Sequence, residues 1–334
     1  ARWSRPTVYR ARRRRLLLGV VLVALLAHTA GQLVNDTGHV RMPTTQARND
    51  HPRAYLSAVN WPQEGQAALV FGNGRPAASP YEQPDPIASL AKVMTAYLTL
   101  KRHPLSGAQD GFTITITAAQ AQDEAQGAAE NQSGVAVAAG EQLTERQLLE
   151  ALLIPSGNNI ARMLAAQVAG SETSFISEMN AEAGALGMEH TTYTDPSGFD
   201  PNTISTAADQ LRVFQQAMRF PVFRQIVSMA SVTLPVAGTV TNFNPLIADG
   251  YAGKTGSDSA AGGCLAFFST VTVRGRPVSA VGVVMGQGQG SDTSALLAAA
   301  GDAATQLVGS AAPAISRSTI GSPGPAGAPM GVAG

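Results

Sequence analysis

The stretch Ile87-Ala88-Ser89-Leu90-Ala91-Lys92-Val93-Met94-Thr95 sets a hydroxyl and an amine three residues apart. A proline-rich loop (Pro76, Pro80, Pro84, Pro86) leads into it, and His103-Pro104 closes it, which predicts a helix from about Ser89 to Leu100. Ser89 then lies in the first turn, on the same face as Lys92. The positive end of the helix dipole disfavours a charged ammonium there and favours a developing alkoxide. That is a physical route to a neutral Lys92 acting as base on Ser89. Composition sharpens the point, because of 23 Lys and Arg residues only Lys92, Lys101 and Lys254 are lysine. Arginine stays protonated, whereas a desolvated lysine can lose its proton near neutral pH. Taken alone, Ser89 and Lys92 read better as an N-terminal serine with a solvated lysine one turn on, because two unspecific residues carry little information.

Two further short motifs follow. Ser156-Gly157-Asn158 sits after Pro155, between a helix and the next one. A hydroxyl and an amide at a helix entrance can pass a proton and orient an amine, or can form an ordinary turn and cap. Lys254-Thr255-Gly256 precedes the first late strand. An ammonium and a hydroxyl beside a glycine, where backbone approaches closely, suit a substrate carboxylate; the plain alternative is a basic residue in a loop. S-x-x-K, S-x-N and K-T-G each occur once, in that order. It is the set, not any one member, that carries information.

With this set the chain resembles the serine D-alanyl-D-alanine carboxypeptidases, the low-molecular-mass penicillin-binding proteins. Leu152–Ala161 resembles their second motif, Tyr251–Gly256 their third, and Thr194-Asp195-Pro196-Ser197-Gly198-Phe199-Asp200 their characteristic turn. The resemblance runs from about Ala54 to Val308. It implies that Ser89 attacks the carbonyl between two terminal D-alanines and forms an acyl-enzyme, with Lys92 taking its proton. Ser156 relays a proton to the leaving amine, and Asn158 positions Lys92 and the substrate amide. Lys254 and Thr255 hold the terminal carboxylate, beside Gly256. The backbone N–H groups of Ser89 and Ser257 form the oxyanion hole. The implied partners are a peptidoglycan stem peptide ending in D-Ala-D-Ala and β-lactam inhibitors, with no cofactor and no metal. Ser257 departs from the bulkier residue found in many relatives.

The rest of the chain is consistent with the implied fold. Thr144-Glu145-Arg146-Gln147 has a capping-box pattern before Leu148, Leu149, Leu152 and Leu153 at helical spacing. Further helices are predicted near 160–168, 174–186, 206–219 and 291–308. Tyr55–Asn60 and Ala67–Phe71 read as a hairpin, and Cys264–Val273 and Pro277–Met285 as strands joined by Arg274-Gly275-Arg276. Strands at both ends and helices between predict an α/β (α+β) arrangement. It is an antiparallel sheet flanked by helices, with an inserted all-helical subdomain over about 105–220, a penicillin-binding, β-lactamase-like transpeptidase fold.

Residues 54–308 form the predicted domain. Arg12–Arg15 followed by an apolar run predict that 1–34 is a signal or an N-terminal membrane anchor, both readings staying open, and hence an extracytoplasmic protein. Residues 35–53 read as a linker, and 309–334 as a disordered Gly/Pro/Ala tail, too short for the further β-domain many carboxypeptidases carry.

Other classes fit poorly. A net charge of zero gives no footprint for nucleic acid. A P-loop needs glycine where Ala248 stands. Gly286-Gln287-Gly288-Gln289-Gly290 lacks the following strand and acidic residue of a dinucleotide site. The five histidines form no H-x-x-x-H pair. Cys264, the single cysteine, reads as a small buried hydrophobe in a strand. A serine β-lactamase or a non-catalytic penicillin-binding sensor remain the alternatives; the first wants a deacylating carboxylate that Asp195–Asp200 does not clearly supply.

Overall fold

The computed structural model describes residues 59–129 and 132–318. The predicted signal or anchor, the linker and the end of the tail lie outside them. Among the described residues no helix is long and apolar enough to cross a membrane.

In chain order the elements are strands β1 (Gln66–Phe71), β2 (Ala77–Ala78) and β3 (Asp85–Pro86), a 3-10 turn (Ala88–Leu90), and helix α1 (Ala91–Arg102). Then come β4 (Thr113–Thr115), α2 (Ala118–Ala129), β5 (Gln142–Thr144), α3 (Glu145–Leu153), α4 (Asn158–Ala169) and α5 (Glu172–Ala185). β6 (Ile204–Ser205), α6 (Ala207–Ala217), α7 (Pro221–Val227), β7 (Ser231–Leu234) and β8 (Gly238–Thr241) follow. The chain closes with β9 (Ala252–Asp258), β10 (Gly262–Val273), β11 (Arg276–Gln287) and α8 (Thr293–Ser318).

The main sheet runs β2-β1-β11-β10-β9, antiparallel throughout. Alternation divides its side chains between two cores. Ala67, Leu69, Leu265 and Phe267 pack under α8 with Ala300, Ala304 and Leu307. Ala68, Val70, Cys264 and Ala266 face the larger core with α1 and the central helices. Lys254 is directly opposite Ala266 in register, so it shares that second face. The fold thereby turns the β9 lysine toward the core that holds α1 and the central helices.

The inserted helices are built as their sequences predict. Thr144 accepts from the Gln147 N–H at 3.3 Å and the Gln147 side chain accepts from the Thr144 N–H at 3.0 Å, completing the capping box of α3. The Ser171 and Thr206 hydroxyls cap α5 and α6 by accepting from the Ser174 and Asp209 N–H groups, without a reciprocal side-chain bond to the cap N–H. Cys264 is fully buried and burial pushes its thiol up to about 12, so it is inert at neutral pH.

Four expectations need correction. Lys254-Thr255-Gly256 is inside strand β9, not in a loop before the late strands. β1 pairs with β11 and β2, and Val59-Asn60 is not a strand, so the early hairpin does not form at its described end. α6 packs on β1 and β11, which takes it out of the helical subdomain. α8 continues past Val308 to Ser318 because Ala311 is still buried under the sheet, so the tail does not begin at 309.

One buried group makes the fold pH-sensitive. Glu145 opens α3 at 1% exposure, and its Oε1 has no hydrogen-bond partner. Burial raises its carboxyl from 4.5 to about 7, against a smaller opposing effect of the Phe112 backbone. The fold therefore favours the protonated acid. The stability it contributes is complete below about 4.5 and is lost as pH rises through about 7. Glu145→Gln is expected to melt with the wild type at pH 5 and above it at pH 8.5. Parallel melting curves at both pH values would refute this.

Candidate active site

The site is assembled by close backbone contact. Gly256 in β9 lies against the 3-10 turn: a Cβ there would stand 3.0 Å from the backbone N of Ser89 and 3.0 Å from the Ile87 carbonyl oxygen. Glycine lets the two chains touch, which brings the nucleophile's own N–H beside the residue preceding Ser257. Gly198, at φ +79°, also presses on that turn, and a Cβ on it would overlap the Ala88 carbonyl. Three described non-glycine residues have positive φ: Ala88 at 43°, Ser156 at 64° and Arg274 at 53°. Arg274 turns β10 into β11; the other two flank the proposed chemistry. Strain of this kind persists where surrounding packing over-determines the backbone.

Ser89 lies in the 3-10 turn just ahead of α1 rather than in the α-helix itself, and Lys92 reaches back to it. Lys92 Nζ is 2.7 Å from Ser89 Oγ, 2.7 Å from Asn158 Oδ1 and 3.0 Å from the Ser197 carbonyl oxygen. A neutral amine has two N–H groups and one lone pair. Two carbonyl-type oxygens accept the two N–H groups, which leaves the lone pair directed at the serine hydroxyl. Lys92 is completely buried, and its pKa is driven well below 10.5, first by desolvation and then by Lys254 and Arg162, with Asp195 opposing.

A second amine–hydroxyl pair adjoins the first. Lys254 Nζ lies 2.9 Å from Ser156 Oγ and donates to the Thr255 carbonyl at 2.8 Å. Burial lowers its pKa to about 7. The Asn158 N–H donates to the Ser133 carbonyl, 2.8 Å, and the Asn159 side chain is bonded to Val135 on both its amide atoms, so the segment after α2 braces the S-x-N turn.

The three motifs thus lie beside one another: Lys92 against Ser89 and Asn158, Lys254 against Ser156, and Gly256 against the Ser89 backbone. Six of the eight predicted residues are buried (Lys92, Ser156, Asn158, Lys254, Thr255, Gly256), while Ser89 and Ser257 keep partial exposure. Sequence reasoning missed the third partner of Lys92, the Ser197 carbonyl. It noticed the Thr194–Asp200 turn, but a backbone oxygen leaves no mark in residue identity.

A serine paired with a buried amine, set between the edge of an antiparallel sheet and a helical insertion, defines the penicillin-binding class of fold. The chain belongs to the D-alanyl-D-alanine carboxypeptidase family (peptidase family S11), whose model matches residues 77–288. It is 36% identical over 153 residues to the D-alanyl-D-alanine carboxypeptidase DacB2 of Mycobacterium tuberculosis, covering 45% of this chain and 48% of that protein. It is 33% identical over 141 residues to a D-alanyl-D-alanine endopeptidase of Pseudomonas aeruginosa, covering 42% of each. The chain spans about half the length of these curated relatives. Among solved structures it is similar to the Streptomyces K15 DD-transpeptidase, with a TM-score of 0.63, 25% identity, and coverage of 76% of this chain and 99% of that one.

Proposed function

We propose that this protein is a serine D-alanyl-D-alanine carboxypeptidase that removes the terminal D-alanine from peptidoglycan stem peptides and is acylated by β-lactams at the same serine. The arrangement that carries this reading is the Lys92 amine, buried and held by two carbonyl oxygens with Ser89 Oγ at 2.7 Å. Lys92 takes the Ser89 proton as Oγ attacks the carbonyl between the two D-alanines. The N–H groups of Ser89 and Ser257 receive the developing oxyanion, each worth a few kcal/mol by analogy with other such donors. Ser156 passes a proton to the leaving amine, with Lys254 behind it at 2.9 Å. Asn158 holds Lys92 and faces the substrate amide. Lys254, with Thr255 beside it and Gly256 allowing close approach, receives the terminal carboxylate. An arriving anion raises the pKa of Lys254 again and restores its charge. Water then hydrolyses the ester. In this reading the protein works outside the cytoplasm, exported by residues 1–34, which serve as signal or anchor.

The test is release of D-alanine from a diacetyl-Lys-D-Ala-D-Ala peptide alongside labelling by a fluorescent penicillin. Labelling with D-alanine release is the expected result. A label lost within seconds would identify a β-lactamase, and a stable label without D-alanine release would identify a sensor.

A further inference from the structure

The turn that supplies the Ser197 carbonyl is organised around the Asp195 carboxylate. Asp195 Oδ2 accepts from the Ser197 N–H (3.0 Å), the Ser197 hydroxyl (2.5 Å) and the Phe199 N–H (3.1 Å). Asp195 Oδ1 accepts from the Thr203 hydroxyl at 2.7 Å. Thr203 Oγ1 in turn accepts from the N–H of Thr194 at 3.0 Å. The turn is also tied to α1, since Thr95 Oγ1 donates to the Pro196 carbonyl at 2.7 Å, one residue before the carbonyl that meets Lys92. Ser197 itself is buried, and its carbonyl accepts from Lys92 Nζ at 3.0 Å.

An asparagine makes the same kind of turn as an aspartate, because both side chains accept from backbone N–H groups two residues on. What aspartate adds is a negative charge. The charged groups around Lys92 come from several elements: Lys254 on β9 and Arg162 on α4 drive its proton off, and Asp195 works against them. Arg162 is itself paired with Asp123 on α2 at 2.8 Å. Glu172 at the start of α5 feels both Arg162 and Asp195, and burial raises its own carboxyl. Asp195 is thus the one anion among these groups that both acts on Lys92 and is hydrogen-bonded to the turn touching it.

We propose that Asp195 is a positioning residue with two functions: it fixes the Ser197 carbonyl against Lys92, and its negative charge opposes the neighbouring cations that act on that amine. The proposal rests on reading Lys92 as the base of Ser89, but its test is made on the lysine itself. With three lysines in the chain, protein carrying carbon-13 at lysine Cε gives three signals, and Lys92→Arg identifies the one that belongs to Lys92.

Removing the negative charge makes the protonated amine less favourable, so in Asp195→Asn the Lys92 signal is expected to titrate at lower pH than in the wild type. The acid limb of penicillin labelling follows it, and on that limb each unit multiplies the free-base fraction about tenfold. Thr203→Val keeps the charge and loosens the turn. It is expected to lower the plateau rate of labelling while leaving the titration in place. If Asp195→Asn does not fold, Asp195→Ser supplies an uncharged turn-forming oxygen and is read the same way.

A Lys92 signal that titrates alike in wild type and the folded uncharged variant overturns the proposal. So does Thr203→Val shifting the titration as far as Asp195→Asn. A shifted titration in a protein that no penicillin labels upholds the role of Asp195 and removes the carboxypeptidase reading instead.

Discussion

Lys92→Arg is expected to abolish acylation of Ser89, lowering the rate of labelling by fluorescent penicillin about a thousandfold or more. Charge is conserved in this substitution, so a site that needed only a cation near the serine would keep working. The structure points the other way. Lys92 is fully buried, and desolvation and two nearby cations all favour the neutral amine. A guanidinium cannot release its proton and has no lone pair to offer the hydroxyl. Lys92→Met serves as the control for folding. A buried lysine with a lowered pKa costs stability as pH falls below the ordinary 10.5, because the unfolded chain binds a proton that the folded one does not. The methionine variant is therefore expected to be as inactive as the arginine one yet to melt above the wild type at neutral pH. Labelling of Lys92→Arg within tenfold of wild type would rule out the neutral amine as the base.

Gly198→Ala is expected to damage both stability and acylation, from a position with no side chain. Its φ of +79° already disfavours an L-residue, and the new methyl would overlap the Ala88 carbonyl and stand 3.0 Å from Ala91 Cβ. Neither neighbour can rotate away, since Ala88 is backbone in a 3-10 turn and itself at positive φ. The cost in stability is about 2–4 kcal/mol, as strain and overpacking at one buried site usually give. The turn carrying Ser89 must move to relieve the clash, so the labelling rate falls at least tenfold in the fraction that remains folded. Chemical denaturation and stopped-flow labelling read the two effects separately. A variant that keeps both wild-type stability and rate would show that this contact does not position the nucleophile.

The residues proposed to carry the chemistry were legible because each motif names its side chains outright. Ser89, Lys92, Ser156, Asn158 and Lys254 meet as their spacing and order imply. The helices with polar caps were equally readable, as Thr144 and Gln147 show. What stayed hidden was decided by backbone or by distant packing. Gly253-Lys254-Thr255-Gly256-Ser257 has no alternating apolar pattern, yet it is a strand because β10 pairs with it from Gly262 to Phe268. β7 and β8 are four residues each, with one buried side chain between them, Leu234, too little periodicity to announce a hairpin. The end of α8 looks like low-complexity tail but is kept helical by Ala311 against the sheet. The Ser197 carbonyl that completes the Lys92 site belongs to no residue type at all.

The proposed reaction depends on Ser89 being a nucleophile made reactive by the amine 2.7 Å away. The most direct measurement is mass spectrometry of the protein after brief exposure to benzylpenicillin at neutral pH, intact and then digested. The predicted result is one added antibiotic per chain, on the peptide containing Ser89, and none in Lys92→Met. A folded wild type that gains no mass, or gains it on another residue, would contradict the account.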